Sequence, residues 1–337
     1  MNFRPFAKAL LLGACSAGAA SDLDVYLLVN KQANELTVYS LQEPTKILQK
    51  YRAISGSSLG DKVKEGDRKT PEGVYFLERE IPKSRLTALH GAAAFELNYP
   101  NPFDRIHDRT GYGIWIHGVD RANRMEKRFD TQGCVALANA DVVELRKWVG
   151  DQRMTPVIIV DELVPGQPVG VESNDGPLIK RVRDWVTAWS SKDPEAYLAF
   201  YDTAFRARGM NYGGWAKYKR RLARQYERIQ VNIEDLRVFR HGKYSVALFK
   251  QKYLSNRYES NGWKRLYLLG EGPEARILSE EMRNEISSFP PPPAPAATVA
   301  APESPARATA AAGESSESAF TTAPAAPSGI SAESAGN

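Results

Sequence analysis

The 337-residue sequence predicts a mainly β domain of sandwich or barrel-like type, then an α+β domain, then a disordered tail. Three observations carry this. Short apolar, β-branched runs punctuated by Gly, Pro, Asp and Asn recur from Asp24 to Leu163, with a single convincing helix among them. From Pro177 the apolar period becomes helical, and from Val231 it switches to two. From Pro290 onward Pro, Ala and Ser dominate, leaving too little apolar surface to fold. The length is ample for two separate cores.

Taken in order, residues 1–20 pair Arg4 and Lys8 with an apolar run and then small residues, the layout of a secretory signal. Leu12-Gly13-Ala14-Cys15 also resembles a lipobox, so Cys15 either leaves with the signal or carries lipid; a lipid there is the only membrane attachment expected. Residues 22–165 form the first domain. DVYLLVNKQANELTVYSL is a hairpin around a polar KQAN turn, and ILQKYRAIS, GVYFLER, YGIWIHG and TPVIIVDEL are further strands. ANADVVELRKWV is its helix, with Asn139 or Asp141 as cap. Residues 166–175 read as a linker. The second domain, 176–288, opens with helices in PLIKRVRDWVTAWSS, EAYLAFY and WAKYKRRLARQYERI. It continues as a meander of VNIEDLRVFR, KYSVALFKQKYL, GWKRLYLL and ARILSE, joined by HGK and NGW turns. Residues 289–337 are the tail.

The formal charge is +5, and between Asp175 and Ser288 there are 22 Lys and Arg against 14 Asp and Glu. That excess is either a solvated face or a surface for an acidic polymer. Cysteine use is sparse: once Cys15 is processed, Cys134 has no partner, and no internal disulfide is expected. From the residues alone Cys134 is either a packed thiol or a nucleophile. No metal site is expected, because one cysteine and scattered histidines lack ligand spacing.

A cysteine nucleophile needs a base. His241 lies in a turn, His90 in a small-residue stretch and His107 in a charged loop, and these read as surface or structural. His117 ends an apolar strand and is followed by Gly118. The helix after Cys134 favours a thiolate modestly, and Gly133 permits tight backbone geometry, so the N–H groups of Gly133 and Cys134 are expected to face an oxyanion. These parts specify acyl transfer.

His117-Gly118 followed by Thr131-Gln132-Gly133-Cys134 resembles the L,D-transpeptidase catalytic domain, whose signature is His-Gly, a variable stretch and Ser/Thr-x-Gly-Cys. GDRKTPEGVYFL and YPNPFDRIHDRTGYGIWIHG are similar to the family's flanking segments, and the resemblance spans Val25 to Leu163. The element order of the second domain resembles the NTF2-like fold. The resemblance implies a periplasmic enzyme of a Gram-negative bacterium that takes peptidoglycan stem peptides, with no cofactor and no nucleic acid partner. It further implies that Cys134 attacks the diaminopimelate carbonyl of a tetrapeptide, that His117 moves the proton, and that the acyl group passes to an amine or to water after D-Ala leaves. A backbone carbonyl near Gly133 is implied to orient His117. Gly118, Thr131, Gln132, Tyr112, Arg124 and Arg128 are the implied substrate contacts. Many cross-linking members carry His at the position of Gln132 and Arg at that of Ala136. The pairing with an NTF2-like domain resembles L,D-carboxypeptidases that set helical cell shape. A wall-binding scaffold without catalysis is the competing class.

Overall fold

The computed structural model describes residues 24–149 and 154–287, so the expectations for the signal, for Cys15 and for the tail lie outside the described residues. Two hairpin strands, β1 (Val25–Asn30) and β2 (Glu35–Ser40), lead to the ten-residue β3 (Ile47–Gly56) and then β4 (Gly73–Glu80) and β5 (Ala94–Leu97). A short helix α1 (Pro102–Ile106) precedes β6 (Trp115–His117), β7 (Phe129–Thr131), β8 (Val135–Leu137), helix α2 (Asn139–Val149) and β9 (Pro156–Val160). The strands run β2-β1-β9-β4-β5-β6-β8-β3-β7, and β3 also pairs with β2. The sheet therefore closes on itself, as the barrel-like expectation requires. β3 makes the closure because it is long enough to serve two neighbours: residues 47–52 pair with β2, and residues 53–56 pair with β8 and β7.

Both faces of the apolar runs are used. Leu27, Val29, Tyr75, Leu77, Val157 and Ile159 point into the barrel, while Tyr26, Leu28, Val74, Phe76, Ile158 and Val160 point out and are equally buried. VYLLV and PVIIV thus read as unbroken apolar stretches because each is covered on two sides.

What covers the outer side is the second domain. β10 (Val169–Val171), helices α3 (Pro177–Ser190) and α4 (Pro194–Leu198), the small strands β11 (Arg206–Ala207) and β12 (Met210–Asn211), and helix α5 (Tyr212–Gln225) precede four long strands. These are β13 (Ile229–His241), β14 (Tyr244–Ser255), β15 (Glu259–Leu269) and β16 (Arg276–Ser287), in the order β10-β13-β14-β15-β16. Alternation divides the sheet: Val238, Ala247, Phe249, Leu266 and Leu268 pack on the helices, and Phe239, Val246, Leu248, Trp263 and Tyr267 pack on the barrel. On the helix side, Lys264 Nζ meets Glu280 Oε1 at 3.0 Å, and Lys219 Nζ stands 4.1 Å from the ring centre of Trp189 and 4.6 Å from that of Trp215. Burial pushes Lys219 down to about 7, so part of the predicted basicity is interior rather than a solvated face.

Three local expectations change. The segment expected as a linker contributes β10, which extends the second sheet beside β13. Asn261-Gly262-Trp263, expected as a turn, lies inside β15; the chain reverses at Asn256 and Arg257, where Ser255 Oγ accepts the N–H groups of Arg257 and Tyr258. Asn139, expected to cap α2, instead accepts the Ala92 N–H at 2.9 Å and donates to the Val119 carbonyl at 2.9 Å.

The contact between the domains has a charged seam. Glu78 accepts Arg265 at 2.9 Å and Arg283 at 2.8 Å, and the Arg265 guanidinium lies 4.1 Å from the Phe76 ring centre. Glu78→Ala is expected to cost about 2 kcal/mol in urea unfolding of the whole protein. This is less than the full cost of stranding a buried charge, because Glu281 still stands 3.6 Å from Arg265.

Candidate active site

The site is built where β6 and β8 run parallel. Ile116 lies opposite Val135 and His117 opposite Ala136, so Cys134, one residue before β8, comes level with Trp115. The Trp115 N–H donates to Cys134 Sγ at 3.4 Å, and the thiol donates to the Gly113 carbonyl at 3.5 Å. Trp115 and His117 share one face of β6, two residues apart. The turn before the thiol is held by hydroxyls. Thr131 Oγ1 accepts the Gly133 N–H at 3.1 Å and donates to the Cys134 carbonyl at 2.6 Å. Thr70 Oγ1 donates to the same carbonyl at 3.4 Å while accepting the Gly56 N–H at 2.9 Å. Gly133 has φ +124°, and a Cβ there would stand 2.8 Å from the Lys69 carbonyl oxygen, so glycine is required.

Two expectations are corrected by this geometry. The Gly133 N–H does not face an open site, because Thr131 takes it. The carbonyl that orients His117 is that of Gly118, 2.5 Å from Nδ1, not one near Gly133. A carbonyl can only accept, so Nδ1 carries the proton and Nε2 presents its lone pair.

Electrostatics set the resting protonation. Burial pushes His117 down to about 4; the Gly118 carbonyl opposes this, nearby His90 and Arg124 add to it, and Asp120 offsets it. Burial pushes the Cys134 thiol up, against the Trp115 N–H and the charge of Lys62. Both shifts disfavour an imidazolium–thiolate pair, so thiol and imidazole rest neutral. Lys62 is itself buried, bound to Asp67 at 2.8 Å and to the Lys64 carbonyl at 3.0 Å.

The expected substrate contacts separate. Gln132 is exposed beside the thiol turn, Tyr112 is 78% exposed, and Thr131 is buried in the hydroxyl clamp. Gly118 is closed off by Asn139, whose Oδ1 would stand 2.2 Å from a Cβ at that position. Arg124 bridges Asp120 at 2.9 Å and Asp130 at 2.7 Å, and Arg128 binds Asn34 at 2.8 Å. Both guanidinium groups, expected to meet substrate carboxylates, thus hold the loop between His117 and Cys134 in place. Ala136 packs fully buried with Ile54 and Val119. The sequence assigned no place beside the thiol to Trp115, Thr70 or Lys62, took Asn139 for a helix cap and set His90 apart as surface or structural; the His90 ring centre lies 5.2 Å from that of His117. The spacing Thr87-x-x-His90, which lets side chain and backbone cap one another, was the available signal. No trio of metal-ligating side chains occurs among the described residues, and no helix there is long and apolar enough to cross a membrane.

A closed barrel thus presents a buried His-Gly strand end beside a Thr-x-Gly-Cys turn. Residues 24–159 match the YkuD family, described as the L,D-transpeptidase catalytic domain, and residues 177–281 match the Cds6 C-terminal NTF2-like domain. The chain belongs to the L,D-transpeptidase family and carries an NTF2-like second domain. Among solved structures, Bd1075 of Bdellovibrio bacteriovorus is 30% identical with a TM-score of 0.64, the match covering 78% of this chain and 93% of that one. The helical cell shape determining protein Pgp2 of Campylobacter jejuni is 27% identical with a TM-score of 0.63, covering 77% and 91%. YafK of Escherichia coli K12 is 30% identical over 129 residues, 37% of this chain and 47% of YafK, so the chain spans about half the length of the curated relatives it matches.

Alkylation of Cys134 by iodoacetamide in the folded protein is expected to climb with pH without a plateau at neutrality, because no thiolate is preformed. A neutral plateau indicates a preformed ion pair. Gly133→Ala is expected to lower stability by about 2 kcal/mol in thermal or urea unfolding, from the positive φ and the Lys69 contact.

Proposed function

We propose that the protein is a peptidoglycan-trimming cysteine enzyme that removes D-Ala from tetrapeptide stems. The observation that carries this is the register of β6 and β8, which sets His117, its Nδ1 held by the Gly118 carbonyl, on the same face as a thiol suspended between the Trp115 N–H and the Gly113 carbonyl. Because both groups rest neutral, proton transfer accompanies attack. The Sγ proton passes to His117 Nε2 as sulfur bonds to the diaminopimelate carbonyl carbon, and the Gly118 carbonyl stabilises the resulting imidazolium through Nδ1–H. With the Gly133 N–H spent on Thr131, the Cys134 N–H is the turn's donor for the oxyanion. Collapse breaks the C–N bond to D-Ala, whose nitrogen takes the proton from Nε2. Water then gives a proton to Nε2 and attacks the thioester, and sulfur leaves as the thiol.

Water as the acceptor is supported by the two-domain likeness to a protein named as a helical cell shape determinant. The buried apolar setting of Ala136, where cross-linking members carry a cation, supports it further. The reading requires export to the periplasm, in keeping with the signal-like residues 1–20.

Incubating the purified protein with tetrapeptide muropeptides is expected to give tripeptide and D-Ala in equal amounts. Cys134→Ala abolishes the release, and His117→Gln lowers it at least about 100-fold. D-Ala accompanied by a cross-linked dimer moves the acceptor to an amine, and intact tetrapeptide after incubation with folded wild-type protein overturns the reading.

A further inference from the structure

His90 takes no part in the chemistry above, yet it touches the base. Its ring meets that of His117 at 82° with centres 5.2 Å apart, and it packs on Trp115 at 4.7 Å. Trp115 is the residue whose N–H holds Cys134 Sγ. The two imidazoles have complementary tautomers. His117 donates from Nδ1 to Gly118. His90 does the reverse: its Nδ1 accepts the Thr87 N–H at 3.2 Å and lies 3.0 Å from Thr87 Oγ1, so the neutral ring carries its proton on Nε2.

The turn at residues 88–90 is also seated tightly against the strand end. A Cβ on Gly91, whose φ is +62°, would stand 2.6 Å from the Val119 nitrogen, and Asn139 ties Ala92 to Val119. Such close backbone approach leaves His90 little freedom to move away from His117.

Resting on the acyl-transfer reading, we propose that His90 is a positioning residue for the base: locked by Thr87, it fixes the plane of His117, and its charge state governs whether His117 can accept a proton. A proton on His90 sets a cation against His117, where a second imidazolium is opposed, and the two rings titrate as a coupled pair. Arg124 adds to that opposition and Asp120 offsets it, while Trp115, packed on His90, donates its N–H to Cys134 Sγ. Around His90 the packed groups are Thr87, Trp115 and His117, and burial holds its own titration low. The neutral ring is therefore the working form.

The sign follows. His90→Phe removes the ring whose protonation disables the base, so the acidic limb of the rate moves down toward the titration of His117 alone. It also removes the Thr87 lock, so the plateau rate falls, by about tenfold. His90→Gln restores an acceptor for Thr87 without a titrating charge. Its plateau is expected to recover most of that loss while its acidic limb stays shifted.

The experiment measures D-Ala release and iodoacetamide alkylation of Cys134 against pH for the full chain and both variants, with unfolding curves alongside. Wild-type limbs in both variants, or equal losses with no limb shift in folded protein, overturn the proposal. If His90→Phe does not fold, the limb of His90→Gln decides alone. Alkylation needs no stem peptide: absent D-Ala release from wild-type protein counts against the acyl-transfer reading, and an unshifted alkylation limb counts against His90.

Discussion

The parallel pairing of β6 with β8 is the constraint on which the site depends. Each strand has three residues, too short to be stable alone, and only the closed barrel keeps them side by side. β3 supplies the closure from one side and β5 from the other, placing Ala94 opposite His117. A one-residue slip in the β6–β8 register would turn His117 to the opposite face from the thiol. The hydroxyl clamp of Thr70 and Thr131 resists such a slip, because both side chains grip the carbonyl of Cys134 itself.

The same burial that secures the geometry sets its chemistry. A low imidazole and a high thiol are penalties of desolvation, and they keep the resting site uncharged. An uncharged thiol is a poor target for oxidants, which react with thiolates. The cation near Cys134, Lys62, does not reverse this because Asp67 neutralises it at 2.8 Å.

How much was legible follows from where each determinant lies along the chain. His117-Gly118 and Thr131-x-Gly133-Cys134 are contiguous, so the two motifs proposed to supply base and nucleophile were readable, as were α3 from its apolar face and β1 from its length. β5, β7 and β8 were missed or blurred because strands of three or four residues carry no period of their own; their partners define them. Asn261-Gly262 has turn chemistry but lies in a strand between β14 and β16, where tertiary pairing prevails over local preference. Arg124 and Arg128 looked free in sequence, and only the fold shows Asp120, Asp130 and Asn34 claiming them. His90 was set aside for its small neighbours, yet Gly91 is small because the backbone of Val119 comes so close.

The second domain supports the site through α1. Phe103 packs on Tyr244 at 4.8 Å and Tyr267 at 5.2 Å, and His107 Nε2 meets the Tyr244 hydroxyl at 3.1 Å, so α1 and its C-terminal end are docked on the second sheet. From there Asp104, buried and pushed up to about 6 by that burial, holds Arg109 at 3.3 Å, and Arg109 reaches Asp61 at 2.6 Å. Tyr99 donates to the Thr110 carbonyl at 3.1 Å, and three residues further Gly113 accepts the thiol proton of Cys134. The wall that receives the thiol is thus anchored at its far end on Tyr244 and Tyr267. A barrel domain lacking β14 and β15 keeps the signature residues but loses the surface on which that wall is seated, which is why the site belongs to both domains although its reacting atoms come from one.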